Sequence, residues 1–165
     1  MASATAHELF DRQQIMELLS RYFAAIDDKR LDDHSIADTT FAVDARLVSP
    51  DGSELVGPEA IFDGKAASFA RFRTTHHVIT DHIIDLDGET ARLRANITAM
   101  HLWGFDKSDS HALQSHFVAG GVLDAVVVRT RDGWRLSKLS NRIAWRTGDG
   151  LAMMMAQRLM TEGGK

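Results

Sequence analysis

The sequence predicts an α+β fold: a cone-like half-barrel in which a strongly curved mixed or antiparallel sheet is wrapped by about three N-terminal helices around an apolar pocket. Three observations carry this. Helical periodicity marks the first half of the chain. The second half alternates with the two-residue period of strands, broken by Asp-Gly turns at Asp87-Gly88 and Asp132-Gly133. Strands this long in a small sheet must twist and coil, which closes the sheet around whatever packs on its concave face.

The first helix is expected over Ala6 to Ile26, because Leu9, Ile15, Met16, Leu19, Tyr22, Phe23 and Ile26 fall on one stripe. Ser3 or Thr5 supplies its cap. After Asp27-Asp28-Lys29-Arg30, a short second helix is expected over Leu31 to Ala37. Phe41 to Val48 reads as a strand with Phe41, Val43, Ala45 and Leu47 on one face. Pro50-Asp51-Gly52-Ser53 is a turn signal, and Gly57-Pro58-Glu59 opens a third helix running to about Phe72. Four long strands follow: Thr74 to Leu86, Thr90 to Trp103, His116 to Thr130 and Trp134 to Trp145. Asp106 to Ser115 is a polar loop, and the closing LAMMMAQRLM is an apolar, helical tail. Helices on one face of a curled sheet leave a pocket between the layers, a usual place for a small ligand.

The chain of 165 residues fits one domain over 1–165, with 150–165 as a C-terminal tail. Its 44% hydrophobic and 25% charged residues match globular proteins and exclude disordered and fibrous classes. A net charge of −4, with no basic run longer than Lys29-Arg30, gives no field for nucleic acid or anionic lipid. The absence of cysteine excludes disulfides, thiolate metal sites and a Cys nucleophile, and fits a cytoplasmic protein. The N-terminus lacks the pattern of a signal peptide, and no apolar run approaches the ~18 residues of a membrane span.

Histidines are the first candidates for chemistry. His76 shares strand parity with Val78, Thr80, His82, Ile84 and Leu86, and is expected to point inward. One bulge would give that position to His77. His101 lies on the apolar face made by Ala91, Leu93, Ala95, Ile97, Ala99 and Trp103, where its ring nitrogens need partners. Either a backbone carbonyl satisfies it as a core residue, or it serves a pocket.

Asp27 ends the first helix beside the apolar stripe. It is either a solvated turn residue or a carboxylate that fixes a histidine tautomer and raises the basicity of the other ring nitrogen. Tyr22, the only tyrosine, is either packing or a hydroxyl donor to a developing oxyanion. Phe23 and Trp103 on the apolar faces, with Asn141 and Arg142 near the end of the last strand, form the expected substrate-binding set; strand parity there does not choose among Ser140, Asn141 and Arg142 for the pocket mouth.

Other chemistries lack their motifs. No phosphate loop, dinucleotide fingerprint or G-x-S-x-G elbow is present, so no cofactor is expected. His76, His77 and His82 do not make a metal site, because adjacent strand residues point to opposite faces.

The order and spacing of DRQQIMELLSRYFAAIDDKR, VGPEAI, TTHHVITDHIIDLDGETA and RTRDGWRLSKLSNRIAW resemble the SnoaL-like branch of the nuclear transport factor 2-like superfamily, from about Phe10 to Gly148. The chain looks nearest the group containing scytalone dehydratase, lindane dehydrochlorinase and bile-acid 7α-dehydratase. That resemblance implies an aspartate at the end of the first helix, matching Asp27, and a histidine at the start of the strand after the third helix, matching His76. It also implies a role for His101, as in scytalone dehydratase. Tyr22 and, loosely, Arg142 match residues of the bile-acid enzyme. The second tyrosine of scytalone dehydratase has no counterpart, and the dehydrochlorinase arginine falls near Leu139, which disfavours dehydrochlorination.

The leading expectation is therefore a cofactor-independent lyase (a dehydratase) or isomerase acting on a small cyclic or polyketide-like substrate, with proton abstraction by an Asp27–His76 dyad assisted by His101 and Tyr22. The alternatives are a non-catalytic module for a small apolar or aromatic ligand or a protein partner, and a polyketide cyclase-like enzyme or epoxide hydrolase on the same scaffold. Val118, Val122, Val126 and Val128 oppose Phe117, Ala119, Leu123, Ala125 and Val127, so both faces of that strand are apolar. One face is expected to meet the pocket and the other a second subunit, giving a homodimer or homotrimer. Met153-Met154-Met155 suit either the pocket or the interface.

Overall fold

Thr5 starts the first helix with a capping box: its hydroxyl accepts from the Glu8 amide at 3.2 Å, and the Glu8 carboxylate accepts from the Thr5 amide at 2.6 Å. The computed structural model describes residues 5–104 and 116–148. Helix α1 (Ala6–Asp27) buries Ile15, Leu18, Leu19, Tyr22, Phe23, Ala25 and Ile26. Leu9, expected on this stripe, is instead exposed near the helix start. Helix α2 (His34–Thr40) begins three residues later than the sequence reading, because the Asp33 side chain caps it at the Ser35 amide.

Strand β1 (Phe41–Val48) turns back after the expected Pro50-Asp51-Gly52-Ser53 turn into a short β2 (Glu54–Val56), a strand the sequence reading does not include. Helix α3 (Pro58–Phe69) starts at its proline. Strands β3 (Phe72–Asp87), β4 (Thr90–Trp103), β5 (His116–Thr130) and β6 (Gly133–Gly148) form the expected meander. The sheet has six strands in the order β2-β1-β6-β5-β4-β3. It is mixed, because β1 runs parallel to β6 while the other pairs are antiparallel. The helices pack on its concave face, and the core runs from Ile15 and Leu19 through Phe41 and Phe62 to Ile97, Leu123 and Leu136. The α+β half-barrel expectation thus holds.

Two irregularities redirect side chains. Between Thr80 and Ile83, β3 advances three residues while β4 advances two, from Asn96 to Arg94, and Asp81 takes φ 54°. This bulge inverts parity: Ile84 and Leu86 face inward below it, but Thr75, His77 and Ile79 do so above it. In β1 the register with β6 breaks between Phe41 and Arg46, and Val43, expected in the core, is 88% exposed.

A buried polar lock ties α1 to the β5–β6 hairpin. Trp134 Nε1 donates to Asp11 Oδ1 at 3.0 Å, and Arg129 Nη2 donates to Asp11 Oδ2 at 2.6 Å, with the guanidinium over the Trp134 ring. Burial raises the Asp11 pKa, but these donors outweigh it and hold the carboxyl below its ordinary value. No helix among the described residues is long and apolar enough to cross a membrane. The loop 106–115, the tail 150–165, the Ser3 cap and the Met153-Met154-Met155 run lie outside the described residues.

Candidate active site

Asp27 reaches β3 from the last turn of α1. Its Oδ1 lies 2.6 Å from His77 Nδ1 and accepts from Thr75 Oγ1 at 2.7 Å, while Oδ2 accepts from the His77 amide at 2.8 Å. Burial pushes the Asp27 pKa up, but the hydrogen bonds from His77 and Thr75 prevail and set it below the ordinary value. An ionised carboxylate can only accept, so Nδ1 carries the proton and Nε2 keeps the lone pair.

The expected partner, His76, is exposed, and this corrects the sequence reading. The bulge at Asp81 breaks the parity by which His76 was aligned with Ile84 and Leu86, so His77 takes the inward place.

His77 lines a cavity of about 210 Å³ between helices and sheet. Tyr22, Phe23 and Ile26 of α1, Phe69 of α3, and Ile97 and His101 of β4 form one part of its wall. Phe117, Gly121, Leu139 and Asn141 close the other. Phe23 packs on the His77 ring at 4.9 Å. The His101 ring stands edge-on to His77 at 5.7 Å between centroids and stacks on Phe117 at 4.1 Å.

His101 is 7% exposed, and its Nδ1 is buried without a hydrogen-bond partner. Burial, followed by the neighbouring His77, lowers its pKa to about 4, so His101 is neutral at physiological pH. The Tyr22 ring packs edge-on against Phe23 and Phe41, and burial raises its pKa, so it keeps its proton. Tyr22 is thus a neutral donor, while the single N–H of neutral His101 is directed to the Phe117 backbone.

Of the expected substrate-binding set, Phe23 and Asn141 line the cavity, and Asn141 Oδ1 is buried without a partner. Two members do not reach it. Arg142 is exposed, because strand alternation turns it away once Leu139 and Asn141 face inward. Trp103 is buried against Phe72 and Phe117 beyond the cavity wall. The sequence reading also passed over Thr75, Phe69 and Lys65. The last two stand at four-residue spacing from Ile61 on α3, a stripe visible in the sequence. Among the described residues no three His, Cys, Asp or Glu side chains cluster as metal ligands.

The chain matches the SnoaL-like domain family over residues 7–140 and belongs to it. A solved Kribbella flavida protein shares 28% identity, with a TM-score of 0.74 over 87% of this chain and 97% of that one. A Novosphingobium aromaticivorans protein proposed to be a scytalone dehydratase shares 18% identity, TM-score 0.72, over 85% and 88%. A hexachlorocyclohexane dehydrochlorinase of type 3 from Novosphingobium barchaimii shares 17%, TM-score 0.72, over 85% and 90%. The last two likenesses show a common fold. No curated protein matches the sequence significantly.

Proposed function

We propose that the protein is a cofactor-independent lyase, a dehydratase, or an isomerase, acting on a small cyclic or polyketide-like substrate through an Asp27–His77 dyad. The carrying observation is the 2.6 Å contact between Asp27 and a histidine that lines an apolar cavity. His77 Nε2 takes a proton from a carbon next to a carbonyl, and the C–H electron pair moves into an enolate. Asp27 stabilises the imidazolium that forms. Tyr22 donates a hydrogen bond to the enolate oxygen, at full strength where water is excluded, and neutral His101 packs beside His77 at the reacting end of the cavity. In dehydration the enolate expels the β-hydroxyl. That group leaves as water with the proton carried by His77, and a C=C bond remains. In isomerisation the same proton returns to another carbon.

The fold shared with a dehydrochlorinase supports the lyase class, while Leu139 favours dehydration within it. Leu139 is 3% exposed and puts hydrocarbon on the cavity wall where the family resemblance would place an arginine.

The test is turnover of β-hydroxy cyclic ketones by His77→Gln and His76→Gln variants. Loss of about 10²–10⁴-fold is expected for the first and little change for the second. Equal effects, or a His77 variant that only weakens ligand binding, would favour the non-catalytic binding module. A homodimer or homotrimer is proposed as well. Val78 and Trp145 leave 44% and 51% of their surface exposed on the outer sheet face, and a strict monomer by light scattering would refute it.

A further inference from the structure

Lys65 occupies a core-facing position on α3. It lies four residues after fully buried Ile61 and four before Phe69, which packs 5.8 Å from His77 and 5.9 Å from His101. Such a position ordinarily holds a leucine or methionine. Its side chain lines the same cavity as the two histidines and, among the described residues, carries the only formal charge in that lining. No carboxylate of the described residues makes an ion pair with it within 4.0 Å. Asp51 attracts it from the exposed turn after β1, but that carboxylate is bound by the Ser53 amide at 3.0 Å and the Ser53 hydroxyl at 2.7 Å. Burial accordingly lowers the Lys65 pKa from its ordinary value. Asp27 contacts His77 from outside the lining, so among the described residues no carboxylate opposes an anionic ligand within the cavity.

We propose that Lys65 is a specificity-determining residue that selects ligands bearing an anionic oxygen, a carboxylate or ionised phenol, at the end of the molecule away from His77. This rests on the cavity being the substrate site and not on the lyase chemistry. The geometry also bounds the substrate. Lys65 stands one helical turn from Phe69, roughly 6 Å along the axis, and Phe69 touches both histidines. A ligand spanning base and cation is thus one or two rings long, consistent with a cavity of about 210 Å³.

The test is direct binding, by calorimetry at neutral pH and low salt, of 2-naphthoate and its uncharged isostere 2-naphthamide. Wild type is expected to prefer naphthoate by about tenfold or more, the scale of one added charge-assisted contact. Lys65→Met, which keeps length and apolar stem, should remove the preference without weakening naphthamide binding, and Lys65→Arg should retain most of it. Thermal melts of the variants confirm that the fold is kept. Equal affinity of wild type for both probes, failure to bind naphthoate, or a preference that survives Lys65→Met would overturn the proposal. Turnover plays no part in this readout. A Lys65-dependent preference without any His77-dependent activity would sink the lyase reading and leave this one standing.

Discussion

Asp27 and His77, 50 positions apart, meet at 2.6 Å because one extra residue at Asp81 inverts the parity of β3. The carboxylate is held by a ring nitrogen, a backbone amide and a threonine hydroxyl together. An Asp27→Asn side chain offers one acceptor where the aspartate offers two, and its amide donor can bind Nδ1 as an acceptor. The wrong tautomer then places the proton on Nε2, and turnover is expected to fall by about 10²–10⁴-fold with the fold retained. The variant should also show a flatter acid limb in a stability titration. The folded Asp27 pKa is depressed, so its contribution is fully present above the ordinary carboxylate pKa. That contribution is lost as pH falls from there through the folded value.

His101 gives a second test of the site. Its folded pKa, lowered to about 4, lies below the ordinary histidine value of 6.5. The unfolded chain therefore binds more protons between those values. Its contribution to stability is complete above pH 6.5 and is lost at up to about 1.4 kcal/mol per pH unit on descent toward 4. Proton NMR should show a His101 ring that does not titrate between pH 5 and 8. A midpoint near 6.5 would contradict its placement against Phe117. His101→Phe should weaken the acid dependence and reduce turnover, because it removes the polar ring edge beside His77.

Gly121 sets the cavity floor by close backbone approach. A β-carbon there would lie 2.6 Å from the Arg142 carbonyl oxygen, whereas at Gly120 it would meet the ring of Trp145, an exposed side chain able to swing aside. Gly121→Ala is expected to cost about 1–3 kcal/mol and Gly120→Ala less, measured by denaturant midpoints. Ligand binding should fall with the first, since Gly121 lines the cavity next to Asn141.

Much of this was legible in the residues. The heptad-like spacing of Ile15, Leu19, Tyr22, Phe23 and Ile26 placed α1, and the unbroken alternation from Ala91 to Trp103 placed His101 inward, because a regular strand carries its own parity. His76 was chosen over His77 because parity was extrapolated through Asp81, and a bulge is a local backbone event that alternation alone does not reveal. Arg142 and Asn141 differ by one position, so only the register of β6 against Leu123 decides which faces in. Trp103 shares the face of His101, but it lies beyond the ring cluster of Phe72 and Phe117, a distance that periodicity does not encode. Lys65 was hidden by its own chemistry, since a lysine on a helix reads as solvated unless its stripe is traced from Ile61 to Phe69.

Asp11 provides a stability test away from the cavity. It is 4% exposed and satisfies both Trp134 Nε1 and the Arg129 guanidinium, whose side chain is 24% exposed. Asp11→Ala leaves the indole without its acceptor and the mostly buried Arg129 with only the exposed Glu89 carboxylate at 3.6 Å, a loss of about 2–3 kcal/mol. For a chain of this size that lowers the melting temperature by about 4–12 °C. Trp134 fluorescence reports the local change, because the indole loses a hydrogen bond held at 3.0 Å. Arg129→Met with Asp11→Leu should recover part of the loss, since replacing both charged partners removes the orphaned charge that the single change creates. A single Asp11→Ala variant as stable as wild type would show that water satisfies both donors and that the lock contributes nothing to joining α1 to the hairpin.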